Sequence, residues 1–342
     1  MRPFNYVRAT DADAAARAVA ANPRAKFLAG GTNLLDLMKE DVERPTELVD
    51  LTRLRLADIR ETPGGLSIGA LATNSVTANH PVVRRDYPLL TQAILAGASG
   101  QLRNMATNGG NLLQRTRCYY FYDAGTPCNK REPGSGCPAI PGLNRMHAIL
   151  GTSEYCIATH PSDFCVALAA LDAVVQVQGP HGPRSIPFAE FHCLPGDTPH
   201  IDNTLRPDEI ITAIDLPPRG FADHYAYLKL RDRASFAFAL VSVAAALEMD
   251  GERISEARLA VGGVAHKPWR VPAAEAELRR SAPTERNFQR TAEAYLEGAE
   301  SHGQNAFKIE LAKRAIVRAL VQAVRMEKNV DRLVHRTTTE PR

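Results

Sequence analysis

The chain reads as two domains of mixed helix and short strand, and three observations carry that reading. Its 342 residues exceed one ordinary core, since domains usually run to about 100–200 residues. Its N-terminal part alternates short apolar strands with helices around glycine turns. A polar stretch at 218–226, "PRGFADHYA", then gives way to one long hairpin followed by helices. The boundary is placed there: 1–222, then 223–328, with 329–342 as a tail. A hydrophobic content of 44% suits a real core. A net charge of +3 gives no nucleic-acid or membrane surface. The first residues lack an apolar export region, and no run approaches the roughly 20 apolar residues of a membrane span. The expected compartment is therefore the cytoplasm by default.

The elements follow in order. "DADAAARAVAA" (11–21) is an alanine-rich helix with an aspartate near its start. "AKFLAG" is a strand, "GGTN" a turn and "LLDLMKE" a helix start. "TELVDLT" (46–52) and "GGLSIGALATN" (64–74) read as strands, and "PLLTQAILAGAS" (88–99) as a helix. "QLRNMATNGGNLLQ" (101–114) is a second glycine turn. "HPSDFCVALAALDA" (160–173) is a helix with Pro161 in its first turn and Ser162 and Asp163 as N-terminal residues. Residues 174–188 form a hairpin and 209–217 a strand. A second hairpin, 238–264, turns at Asp250-Gly251. Helices at 287–299 and 305–326 close the chain. In the last, Leu311, Ala315, Ala319 and Ala323 form an apolar stripe, with Lys308, Arg314 and Arg318 on other faces.

Two features carry chemistry. In "FLAGGTNLLDLMK" a strand ends at two glycines and a helix begins. Glycine backbone without a Cβ can cradle a phosphate there. "ATNGGNLL" (106–113) repeats the device, again with Thr and Asn beside it. The other feature is "RCYYFYDAGTPCNKREPGSGC" (117–137), neither helix nor strand. With Cys156 it spaces four cysteines as C-x9-C-x8-C-x18-C. A loop with little apolar content can be ordered by a metal. Structural zinc sites usually show close C-x2–4-C pairs, and four thiolates also suit a [4Fe–4S] cluster. Spacing alone leaves zinc and iron–sulfur open. Cys165 and Cys193 read as structural thiols.

"FLAGGTNLLDLMK", "LRNMATNGGNLL", "HPSDFCVALAALDA" and "LRPDEIITAIDLP", in this order, resemble the FAD-binding subunit of molybdenum hydroxylases, over nearly the whole chain. The resemblance implies an α+β fold. A two-lobed FAD-binding domain of the vanillyl-alcohol oxidase type precedes a C-terminal α+β domain like that of the carbon monoxide dehydrogenase flavoprotein. It implies that Phe27, Leu28, Ala29, Gly30, Gly31, Thr32, Asn33, Leu34 and Leu35 wrap the FAD diphosphate. Thr107, Gly109, Gly110 and Asn111 are then the second cradle. Asp163 accepts from a cofactor hydroxyl, Ile211 packs on the flavin side and Lys229 approaches the flavin. The segment after Lys229 departs from the family's usual acidic residues.

In most of the family a short connection joins the "GGNL" turn to the Pro-x-Asp helix start. Here Leu112 and Pro161 lie 49 positions apart, so about 115–156 is an insertion. By resemblance to aldehyde oxidoreductases and 4-hydroxybenzoyl-CoA reductase, Cys118, Cys128, Cys137 and Cys156 hold a [4Fe–4S] cluster. Tyr119, Tyr120 and Tyr122 cover the cluster or meet a partner subunit, with core packing as the alternative. The function so implied is the flavin subunit of a heterotrimeric molybdenum-dependent aldehyde oxidoreductase. Its partners are a large molybdenum-cofactor subunit, a small [2Fe–2S] subunit and an external electron acceptor. Such complexes can reach the periplasm by co-export with a partner. No catalytic acid or base pair is expected. The alternatives are a 4-hydroxybenzoyl-CoA reductase-like or xanthine dehydrogenase-like flavin subunit, a stand-alone flavoenzyme of the same fold, and a zinc-stapled binding protein.

Overall fold

The computed structural model describes residues 1–218 and 221–326; the expected tail, 329–342, lies outside the described residues. Eleven strands among those residues form three sheets. The first is parallel, in the order β1–β3–β2, from β1 (Asn5–Arg8), β2 (Ala25–Leu28) and β3 (Glu47–Asp50). The second is antiparallel, in the order β4–β5–β8–β6–β7. Its strands are β4 (Ile59–Thr62), β5 (Gly65–Gly69), β6 (Val174–Gly179), β7 (Gly182–Pro187) and β8 (Ile210–Leu216). The third, also antiparallel, is β11–β10–β9, from β9 (His224–Leu230), β10 (Val241–Asp250) and β11 (Arg253–Gly262).

The mixed α and β architecture matches the expected class. β10 is buried along most of its length, which explains its continuous apolar run from Val243 to Leu247. Ala244 and Ala246 join the core around the helix Asp163–Ala170, while Val243, Ala245 and Leu247 join the core under the C-terminal helices. Small residues let that helix approach closely. A Cβ on Gly262 would lie 2.5 Å from Val166 Cγ2.

Several local readings change. The second glycine pair is not an open turn: Gly109 and Gly110 sit in the helical turn Asn108–Leu112, capped by Thr107. Pro161 lies just before the helix it was expected to open, because Ser162 is the N-cap and its hydroxyl accepts from Cys165 N. β1, β4 and β9 carry no clear period-2 signal, and β9 begins inside the stretch read as a loop. Lys308 is not on an outer face. The helix Phe307–Arg325 buries Lys308, Ala312, Ala315, Ala319 and Ala323 as one stripe.

Candidate functional site

The site begins where β2 ends. Gly31 has φ +72°, a left-handed conformation that favours glycine. Gly30 lies against the segment before the second glycine pair. A Cβ there would fall 1.9 Å from the Met105 carbonyl oxygen. Leu35 packs on Gly31, with Leu28 beside it. Gly109 N donates to Ala70 O at 2.8 Å, and its Cα faces Ala70 and Ile211. The two glycine pairs, far apart in sequence, thus face one groove.

That groove has two chambers. One, of about 260 Å³, is walled by Phe27, Ala29, Gly30, Gly31, Leu34, Thr107, Gly109 and Ile211, among others. The other, of about 400 Å³, is walled by Asn111, Phe164, Asp163, Lys229 and the cations Arg103, Arg117 and Arg233, among others. Thr32, Asn33 and Gly110 line both chambers and form the waist between them. Asn33 Oδ1 accepts from Arg115 N at 3.0 Å, while its buried Nδ2, near the Tyr122 hydroxyl, makes no hydrogen bond of good geometry. An orphaned donor at a glycine-lined waist suits a phosphate oxygen. Basic side chains and apolar walls on either side suit a long dinucleotide.

Ile211 and Lys229 fall in different chambers, on opposite sides of the waist. Asp163 is engaged by the protein itself: Tyr227 OH donates to it at 2.7 Å and Lys229 Nζ at 2.7 Å. Both partners of this ion pair are buried, at 5% and 8% exposure. Lys229 also donates to Ala96 O at 3.2 Å.

An amide network under the second cradle was missed in the sequence. Asn74 Nδ2 donates to Asn108 Oδ1 at 3.0 Å, and Asn108 Nδ2 to Thr77 Oγ1 at 2.8 Å. Asn111 Nδ2 donates to Asn74 Oδ1 at 2.7 Å, and Ser162 Oγ to Asn111 Oδ1 at 2.6 Å. The last bond joins residues on either flank of the insertion. Asparagine beside a glycine turn was the available signal, but its partners are distant in sequence.

The insertion brings Cys118, Cys128, Cys137 and Cys156 around one space, shared with Lys130, His147, Tyr120 and Phe121. Backbone N–H groups of Tyr120 and Phe121 point to Cys118, those of Ala139, Ile140 and Ile157 to Cys137, and that of Ala158 to Cys156. Burial pushes the Cys118 thiol up to about 12 and Cys156 to about 11. A bound cation reverses that preference, because it stabilises the thiolate. His147 Nε2 lies 3.1 Å from Cys118 Sγ.

Ion pairs fix this segment to the body. Arg115 pairs with Glu43 at 2.8 Å and Asp202 at 2.7 Å; Lys130, 1% exposed, pairs with Asp202 at 2.6 Å. Tyr122 OH donates to Asp36, and Tyr120 OH accepts from Leu143 N. Those tyrosines hold the segment, while Tyr119 is exposed and Phe121 is the buried aromatic.

A second cluster lies deeper: donor atoms of His160, Cys165 and His192 come within 4.8 Å of one another. His192 Nε2 donates to Leu112 O at 2.9 Å, and His160 Nδ1 accepts from Ser162 N at 3.4 Å. These bonds leave a donor on His160 Nε2 and an acceptor on His192 Nδ1, both otherwise unpartnered. The two rings lie 4.3 Å apart, tilted against each other. Cys165 is the buried thiol expected, raised by burial to about 12.

Residues 2–219 match the family described as the FAD binding domain in molybdopterin dehydrogenase. Residues 225–323 match the CO dehydrogenase flavoprotein C-terminal domain. The chain is 53% identical over 325 residues to the aldehyde oxidoreductase FAD-binding subunit PaoB of Escherichia coli (strain K12). That alignment covers 94% of this chain and 99% of the relative. It is 27% identical to the carbon monoxide dehydrogenase medium chain of Hydrogenophaga pseudoflava, over 86% and 88% of the two chains. A carbon monoxide dehydrogenase structure from Hydrogenophaga pseudoflava superposes with a TM-score of 0.74 at 26% identity, covering 94% of this chain and 98% of that one. No helix among the described residues is long and apolar enough to cross a membrane.

Proposed function

This chain belongs to the FAD-binding medium subunits of molybdenum hydroxylases, and from that premise we propose that it is the FAD- and [4Fe–4S]-containing electron-transfer subunit of an aldehyde oxidoreductase. The observation that carries the reading is the convergence of four cysteines beside the two-chambered groove. The similarity to an aldehyde oxidoreductase subunit supports the substrate class over the xanthine dehydrogenase-like alternative. Bound FAD supplies the redox chemistry between a molybdenum-cofactor partner, a [2Fe–2S] partner and an external acceptor. The chain's own residues bind and orient. Phe27 to Leu35 and Thr107, Gly109, Gly110 and Asn111 hold the diphosphate at the waist. Ile211 lines the smaller chamber and Lys229 the larger, where Lys229 holds Asp163 in place. The division at 222/223 separates the FAD-binding part from the C-terminal part.

Cluster rather than zinc is favoured by the spread of the thiols. Four thiolates on one zinc ion lie about 3.8 Å apart, given Zn–S near 2.3 Å. Yet the donor triad within 4.8 Å among the described residues is the histidine pair with Cys165, not the loop cysteines. A cubane needs the wider spread.

The test is iron, zinc and flavin analysis of the protein with its co-purifying subunits, together with its visible spectrum. Flavin bands on a broad iron–sulfur shoulder support the reading, and a colourless zinc protein refutes it. Cys128→Ser is expected to lower iron and keep most of the FAD, because the cysteine space is separate from the waist. Unchanged iron would remove Cys128 from the ligand set.

A further inference from the structure

Lys308 stands where the apolar stripe of the helix Phe307–Arg325 calls for a leucine. It is completely buried, at 0% exposure. Its ammonium donates to three backbone carbonyls: Met146 O at 3.3 Å, His147 O at 2.8 Å and Gly263 O at 2.5 Å. An ammonium has three N–H donors and no acceptor, so these three saturate it. Gly263 belongs to its own domain, whereas Met146 and His147 belong to the insertion.

Neighbouring residues close on the same segment. Asn305, also 0% exposed, donates to Ala148 O at 2.9 Å and His147 O at 3.4 Å. Asn144 Oδ1 accepts from Gln304 N at 2.9 Å, and Asn144 Nδ2 donates to His302 O. Residues 302–308 therefore clasp 144–148 from the C-terminal domain. At the centre of the clasp is His147, whose Nε2 meets Cys118 Sγ at 3.1 Å.

Burying a lysine against carbonyls alone is costly, since its ammonium gives up its hydration with no counter-charge beside it. A leucine in its place would extend the stripe at no such cost. The lysine's reach into the insertion is what a leucine lacks.

We propose that Lys308 is a positioning residue for the four-cysteine centre: it fixes the Met146–His147 backbone so that the His147 ring hydrogen-bonds the Cys118 sulfur and raises the reduction potential of the cluster. A donor at a ligating sulfur stabilises the more negative reduced cluster, and hydrogen bonds to sulfur are an established lever on potential. The proposal rests on the cluster reading above.

The experiment uses the full chain with its co-purifying subunits, as wild type, Lys308→Met, His147→Leu and the double variant. Iron and flavin per chain are measured, then the cluster potential by EPR-monitored redox titration. Each single variant is expected to lower the potential with flavin retained, and the double variant to lower it no further than His147→Leu alone. A wild-type potential in Lys308→Met, or additive shifts in the double variant, overturns the proposal. Should Lys308→Met fail to fold, Asn305→Ala removes neighbouring bonds to the same segment. It is expected to lower the potential, but not in the His147→Leu background; an unchanged potential overturns the proposal. Wild-type protein with flavin but no iron would instead refute the cluster reading beneath it.

Discussion

Gly30 and Gly110 line the same groove but respond differently to a side chain. A Cβ on Gly30 would sit 1.9 Å from the Met105 carbonyl, so Gly30→Ala must push two segments apart. It is expected to cost about 1–3 kcal/mol of stability and to release flavin. A Cβ on Gly110 meets only Thr107 Oγ1, at 3.0 Å. Gly110→Val should therefore keep the fold and lose FAD, because its methyls occupy the waist. Melting temperature and flavin per chain separate the two outcomes, and full flavin occupancy in Gly110→Val would count against the second cradle. Acid stability also turns on single residues. Burial lowers His192 to about 4, only partly offset by its bond to Leu112. In the unfolded chain histidine titrates near ~6.5. The unfolded state thus takes up the proton first. Stability is full above about pH 6.5 and falls as pH drops toward 4. His192→Gln should make that window shallower in a Tm-against-pH series, the rest coming from His147 and His160, which burial also lowers; an unchanged slope would exclude His192 as a contributor.

At the level of elements, the insertion is held by buried charge as well as by buried apolar residues such as Phe121 and Ile149. Asp202 is reached by Arg115, Lys130 and His266. Burial alone would raise its carboxyl, but those three outweigh burial and hold it well below the usual range. Asp202→Asn leaves Arg115 and Lys130 beside a neutral amide, and it should cost about 3–5 kcal/mol. Limited proteolysis should then cut within 115–156 before anywhere else, and cleavage elsewhere first would sink this account. The sequence made the long elements legible because their periodicity is local. Asp11 caps the first helix and Ser162 the helix Asp163–Ala170, both recognisable from residue type. β1 and β9 were not legible. β1 is exposed along its length, and β9 is only partly buried, so neither shows clean alternation. Lys308 was misplaced because charge is a poor guide to facing when buried carbonyls await a donor. The four cysteines could be grouped by residue type, but the fixing of their segment through Asp202 and Lys130 depends on partners about 70 residues apart.

At the scale of the molecule, the C-terminal sheet and helices do two jobs. They bury the far face of the helix Asp163–Ala170 and grip the insertion through Lys308, Asn305 and Asn144. The chamber residue Lys229 also comes from this part, on β9. Cofactor groove and cysteine centre therefore both lean on the C-terminal part. The Ser162–Asn111 bond, 2.6 Å long, has a consequence of its own. It anchors the long excursion at the point where it leaves and rejoins the body, so the flanking groove residues keep their register whatever lies between. Loop-closure entropy grows only slowly with length. Such an anchor lets the segment between change in length without rebuilding the groove beside it.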